Sequence, residues 1–162
     1  MSMEDRRFMN RYPDEGQDPV PVERYTSTEY FEQERERVFR RKWLNVGNIL
    51  QAPNPGDYFV VDLKILDTSL LVIHGKDGGC RAFHNMCSHR GAPVAWDAQG
   101  SCKGYLACRF HGWVYDTTGQ LVHISDAENF PGVKAEDNGL TSVHCEVWKN
   151  FIFVNMAPQP EQ

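Results

Sequence analysis

Cys87-Ser88-His89-Arg90-Gly91 and Cys108-Arg109-Phe110-His111-Gly112-Trp113 each offer one sulfur and one imidazole, and eighteen residues separate His89 from Cys108. Four such donors suit a transition metal. Because each segment mixes the two ligand types, a sulfide-bridged iron pair fits well, with both thiolates on one iron and both imidazoles on the other. A single tetrahedral zinc on the same Cys2His2 set is the rival. Zinc motifs, however, place paired cysteines before paired histidines, an order not followed here. Replacing two thiolates by neutral imidazoles removes negative charge, so such a centre accepts one electron more readily than an all-cysteine one. The outer ring nitrogens of His89 and His111 then bind protons more tightly after reduction. Gly91 and Gly112 stand where the backbone must turn tightly and leave N–H groups facing the sulfurs.

Those segments need a rigid frame, and the chain supplies one in short runs rich in β-branched and aromatic residues. Strands are expected at 43–49, 57–62, 69–74, 80–84, 104–107, 113–115, 143–148 and 151–155. Lys76-Asp77-Gly78-Gly79 and Asp116-Thr117-Thr118-Gly119 read as hairpin turns, since glycine takes positive φ at little cost. The fold class is mainly β: a small antiparallel sandwich or barrel with the metal-binding segments at the tips of two hairpins and a helix in front.

That helix is expected over about 27–41, opened by a capping box in Thr26-Ser27-Thr28-Glu29. Tyr30, Phe31, Val38 and Phe39 share its apolar side, Glu36 and Arg40 form an i,i+4 pair, and the helix is expected to pack on a sheet. Residues 1–24, with Pro13, Pro19 and Pro21, read as an extended arm, 25–157 as the domain, and 158–162 as a tail or truncated linker.

A length of 162 residues, 41% hydrophobic and 24% charged, is that of one globular domain. A net charge of −5 argues against nucleic acid, which needs clustered Lys and Arg. No segment approaches the roughly 20 apolar residues of a membrane span, and none reads as a signal peptide. A cytoplasmic location follows, in which Cys80, Cys102 and Cys145 are expected as free thiols serving as small buried residues in strands.

At Phe83-His84-Asn85-Met86-Cys87-Ser88-His89-Arg90-Gly91 and at Cys108 to Asp116 the sequence resembles the Rieske domain of ring-hydroxylating oxygenases, the N-terminal part of their large subunit. The likeness runs from about Tyr25 to Ala157. It implies a [2Fe-2S] cluster held by Cys87, His89, Cys108 and His111, with Trp113 as the aromatic beside it and Arg90, Gly91 and Gly112 shaping the loops. It further implies electrons taken from a ferredoxin or reductase and passed to the mononuclear iron of an oxygenase catalytic domain or subunit, in assemblies that are commonly homotrimers. Arg109 and Phe110 depart from the family's usual Pro and Tyr. Respiratory Rieske proteins differ, with an extra cysteine in each loop and a membrane anchor.

Oxygen activation needs a second iron on two histidines and a carboxylate. The spacing His84-x4-His89 is accidental if His89 binds the cluster, and His74, His123 and His144 read as ordinary polar residues. No mononuclear iron is therefore expected on this chain, and no oxygenation by it alone. Three functions stand beside one another: an electron-transfer module or fragment, a complete oxygenase with unrecognised iron ligands, and a structural zinc domain.

Overall fold

The computed structural model describes residue 19 and residues 21–161. Most of the expected arm, residues 1–18 and 20, lies outside the described residues. Within the unit ending at Glu32, Glu23–Thr26 is α-helical, so Glu23 and Arg24, the end of the expected extended arm, lie in a helix. Ser27 is extended at φ −78, ψ 126, and Thr28–Glu34 is helical again. The break has a local cause. Ser27 Oγ accepts from Tyr30 N–H at 3.1 Å and donates to Glu29 at 2.8 Å, so this serine caps a new helix. The glutamate takes the cap's proton and does not close the expected box.

In the unit from Gln33 onward, Arg35–Phe39 is a π-helical turn in which Arg40 N–H bonds Arg35 O at 3.0 Å. The helix expected over about 27–41 is thus present without a break over 28–39, its last turn π-helical. The Glu36–Arg40 pair forms at 2.9 Å. None of these pieces contains a fully buried residue, and the π turn rests on the 3-10 turn Lys64–Leu66.

Among the described residues ten strands follow: β1 (Leu44–Asn48), β2 (Asp57–Leu63), β3 (Thr68–His74), β4 (Cys80–His84), β5 (Gln99–Ser101), β6 (Tyr105–Ala107), β7 (Val114–Asp116), β8 (Leu121–His123), β9 (Ser142–Trp148) and β10 (Phe151–Asn155). All their pairings are antiparallel, in a seven-stranded sheet of order β1-β10-β9-β4-β3-β2-β5 and a three-stranded sheet β6-β7-β8. Eight of the strands match expectation within two residues. β5 escaped because Gln-Gly-Ser carries no apolar side chain and is exposed throughout.

The long sheet has a core on each face, and β3 divides them. Leu70 and Val72 enter one core, Leu71 and Ile73 the other, and all four are at 0% exposure. A strand buried on both faces must read as a continuous apolar run, as 70–73 does. On one face the sheet curls on itself: Phe59, Leu70 and Val72 meet Ile152 and Val154. A Cβ on Gly47 of β1 would lie 2.8 Å from the Phe59 ring, so glycine permits that closure. On the other face the small sheet adds Leu106, Tyr115 and Leu121 to Leu71, Ile73 and Phe83. The expected sandwich or barrel is therefore both, a curled sheet with a small sheet laid over one face.

One detail of the expected architecture is corrected. The second metal-binding segment does tip the β6–β7 hairpin, but the first lies between β4 and β5, which do not pair. It is a crossover from the sheet's interior to its edge beside β2.

Gly119 in the β7–β8 turn has φ +83, and a Cβ there would stand 2.4 Å from the buried Phe83 ring. Gly119→Ala is expected to cost about 1–3 kcal/mol, read as a lower midpoint in urea denaturation followed by tryptophan fluorescence.

Candidate metal centre

The two metal-binding segments fold into the same backbone ring. Cys87 N–H donates to Ala92 O at 2.8 Å and Gly91 N–H to Cys87 O at 2.9 Å; Cys108 N–H donates to Trp113 O at 2.8 Å and Gly112 N–H to Cys108 O at 2.9 Å. Each ring closes through a left-handed glycine, Gly91 at φ +72 and Gly112 at φ +71. At Gly112 a Cβ would also strike Ser125 Oγ at 2.5 Å, a hydroxyl that donates to Gly112 O at 3.0 Å. Matched rings present their side chains alike, which brings cysteine to cysteine and histidine to histidine.

Cys87 and Cys108 are each 2% exposed and lie side by side in the core under the small sheet. The His89 and His111 rings stand 4.6 Å apart, His111 exposed and His89 partly so. Among the described residues no three His, Cys, Asp or Glu side chains converge on one point. A tetrahedral zinc needs four donors around a single ion, whereas two thiols and two imidazoles in separate pairs match a two-iron cluster. The donor set thus fits a [2Fe-2S] group.

Electrostatics follow this division. Burial pushes the Cys87 thiol up, the Tyr115 hydroxyl and the His89 backbone N–H draw it back down, and the neighbouring Cys108 adds to the rise. A thiolate here is therefore uncompensated until a cation shares the pair. His89 is pulled down from the ordinary imidazole value by desolvation first, then by His111 and Arg90. Its neutral form, the one with a lone pair to give a metal, is favoured at neutral pH.

The shell around these groups is largely aromatic. Trp113, 2% exposed, stacks on His89 at 4.8 Å and 11°, and Phe130 meets both rings edge-on. Tyr115, at 0% exposure, places its hydroxyl 3.1 Å from Cys87 Sγ, accepts from Ser88 N–H at 3.1 Å and lies 2.8 Å from Ser88 Oγ. Ser88 Oγ donates to Asn138 O at 2.6 Å. Its proton is thereby committed, and the phenol hydrogen is left to the sulfur or to Ser88. Burial and Cys87 raise the Tyr115 pKa, keeping that phenol a donor. Asn85 clamps the returning chain: its carbonyl oxygen accepts from Val94 and Ala95 N–H at 3.1 and 2.9 Å, and its amide donates to Ala95 O at 2.8 Å.

The four residues singled out as ligands therefore meet as two pairs, Cys87 with Cys108 and His89 with His111, with Gly91, Gly112 and Trp113 in loop-shaping or ring-stacking positions. Arg90 is exposed and acts on His89 by charge. Arg109 bonds Asp97 at 2.7 Å, tying the second loop to the first crossover at the surface, and the exposed Phe110 ring lies 4.1 Å from His111. Sequence reasoning missed Ser88, Asn85, Tyr115, Ser125 and Phe130 as parts of the site; a polar Asn between an apolar strand and the first cysteine was the one available signal. His84, His74 and His144 bond Thr68, Ala52 O and Pro158 O, as ordinary polar residues do.

Comparison with known proteins agrees with this geometry. The Rieske [2Fe-2S] domain family matches residues 42–144. The carnitine monooxygenase oxygenase subunit of Escherichia coli (strain K12) is 32% identical over 139 residues, covering 86% of this chain and 36% of that protein. The biphenyl 2,3-dioxygenase subunit alpha of Rhodococcus jostii (strain RHA1) is 38% identical over 132 residues, covering 81% and 28%. Among solved structures, a quaternary ammonium Rieske monooxygenase with L-carnitine superposes at TM-score 0.81 with 27% identity over 88% of this chain and 40% of that one. Naphthalene 1,2-dioxygenase from Rhodococcus sp. gives 0.82 with 26% identity over 99% and 37%. The chain thus spans about a third of the length of the curated relatives it matches.

Two substitutions probe the site. Tyr115→Phe removes the hydroxyl beside Cys87 Sγ and is expected to lower the reduction potential of loaded protein by tens of millivolts, on the order of the ~1 kcal/mol a hydrogen bond contributes, measured by dye-linked redox titration. Asn85→Ala strands two buried N–H groups, and a loss of about 2–4 kcal/mol in urea unfolding is expected.

Proposed function

The chain belongs to the Rieske [2Fe-2S] domain family, and from that premise we propose that Cys87 and Cys108 hold one iron of its cluster while His89 and His111 hold the other. The observation that carries this reading is the like-with-like pairing across two loops of matched backbone geometry. When bound, the cluster supplies reversible one-electron redox chemistry.

The protein's own residues set the direction of that traffic. The sulfur pair is sealed beneath Tyr115, Leu106 and Phe83, where water is excluded. The imidazole pair opens to the surface, with His111 exposed, so an electron enters or leaves by the histidine edge. Trp113 and Phe130 fix the plane of His89, which keeps its outer nitrogen pointed consistently at a partner. With its lone pair given to iron, a neutral His89 would carry its proton on the outer ring nitrogen, where added negative charge on the cluster would hold that proton more tightly.

We assign the chain to the electron-delivering part of a ring-hydroxylating-type oxygenase, receiving electrons from a ferredoxin or reductase and passing them to a mononuclear iron. Its relatives include a carnitine monooxygenase and aromatic dioxygenases, both matched over this same stretch. The assignment therefore concerns delivery and not the molecule oxidised. On this reading the oxygen-activating iron lies outside this chain.

Anaerobic loading with iron and sulfide is the direct test. Iron and acid-labile sulfide are expected in equal amounts, with a reduced-state EPR signal that changes when His111→Cys replaces an imidazole by a thiolate. A single metal without sulfide, or a signal indifferent to that change, would overturn the assignment. Reduced protein mixed with O2 and a candidate substrate is expected to give no hydroxylated product by itself.

A further inference from the structure

The cysteines outside the metal centre are not equivalent. Cys80 opens β4 and Cys145 lies in β9, and those strands pair through Ala82–Val143 and Phe83–Ser142. Carried on by two residues, that register sets Cys80 opposite Cys145, and Cys145 Sγ lies 3.9 Å from Cys80 Sγ, both as free thiols. Directly opposed residues on antiparallel strands have Cα atoms about 4.5–5.5 Å apart, inside the range a disulfide spans. Side-chain rotation alone can bring the sulfurs to bonding distance.

We propose that Cys80 and Cys145 form a cross-strand dithiol that peroxide converts to a disulfide, a modification site separate from the metal centre. Both sulfurs belong to partly exposed residues, and Cys80 has the pocket in addition. A surface pocket of about 330 Å³ is lined by Cys80 and His74 among apolar neighbours such as Ile49, Pro53 and Ile152, and Cys145 is not part of its wall. The pocket offers the oxidant a site against Cys80, with Cys145 at 3.9 Å as the resolving thiol. The thiol hydrogen bond runs the same way: Cys145 donates to Cys80, which holds the Cys80 thiol below its usual value with help from Arg81 and keeps Cys145 protonated. A thiolate is the nucleophile in such chemistry.

The step balances with hydrogen peroxide as the two-electron oxidant. The Cys80 thiolate attacks one peroxide oxygen, the O–O bond breaks, hydroxide leaves, and Cys80 becomes a sulfenic acid. Cys145 sulfur then attacks Cys80 sulfur; the S–S bond forms, the S–O bond breaks, and the hydroxyl leaves with the Cys145 proton as water. The two thiols together lose two electrons, and peroxide ends as water.

Placement gives the bridge its consequence. The β4–β9 ladder joins the β1-β10-β9 half of the long sheet to the β4-β3-β2-β5 half, and the chain between Cys80 and Cys145 contains both metal-binding loops. A covalent link there closes the base from which both loops rise, and removes freedom from the unfolded chain over a long loop.

The test uses protein loaded with iron and sulfide, exposed to a small excess of hydrogen peroxide, quenched with iodoacetamide and mapped by mass spectrometry without reduction. A single linked peptide pair containing Cys80 and Cys145, lighter by two hydrogens, is expected, with Cys102 alkylated. Its melting temperature is expected to rise by about 5 °C or more and to fall back on adding reductant. In Cys145→Ser, Cys80 should be trapped by dimedone as a sulfenic acid; in Cys80→Ser, Cys145 should remain alkylatable. Cys80 and Cys145 both alkylated after peroxide in the wild type, or Cys80 linked to Cys102 instead, would overturn the proposal. The wild-type peptide map decides between these outcomes even where a substituted protein fails to fold.

Discussion

A dry pair of sulfurs and a wet pair of imidazoles must be held within a few ångströms of each other, and the architecture answers that demand. Sulfur needs a core, so both cysteines sit among Leu106, Tyr115 and Phe83. Imidazole needs an opening, so His111 stands at the surface with His89 beside it. A single loop cannot easily satisfy both requirements. Two loops with the same hydrogen-bonded ring can, because each contributes one side chain inward and one outward. The small sheet exists to raise one of those rings; the first crossover of the long sheet delivers the other.

Much of this was legible in the residues. Alternating and continuous apolar runs marked eight of the ten strands, since side chains in a half-buried sheet repeat every second residue and those in a doubly buried strand do not alternate. The proximity of the two histidines and of the two cysteines was foreshadowed by their matched spacing in the two segments. Other features were invisible for definite reasons. β5 holds its place by backbone bonds to β2, with no apolar side chain to announce it. Ser27 caps the helix from Thr28 through one side-chain hydrogen bond, while the short helix Glu23–Thr26 before it is too brief to show an apolar period. Tyr115 lies 28 positions from Cys87, and contact at that separation exists only once the small sheet has formed. The same holds for the crossover mistaken for a hairpin, whose partner strand is chosen by the edge of the sheet and not by proximity in sequence.

Departures from the family pattern acquire local meaning. Arg109 occupies a place usually given to proline and reaches Asp97 across the gap between the loops. Both partners are largely exposed, so the bond contributes at most about 1 kcal/mol and serves mainly to set the spacing at the rim. Rigidity at the metal centre comes instead from buried bonds: the Asn85 clamp on Val94 and Ala95, and the Tyr115–Ser88–Asn138 chain. Those bonds lie under the loops, away from the exposed His111.

The position of β1 bears on how the molecule is made. Among the described strands, Leu44–Asn48 pairs only with β10. On the ribosome it emerges before its partner, and its backbone donors and acceptors wait until Phe151–Asn155 has been synthesised. An open strand of that kind invites pairing with a neighbouring chain. Slow translation or early termination before β10 thus leaves a sticky intermediate, and the yield of intact protein depends on how quickly that closing strand arrives.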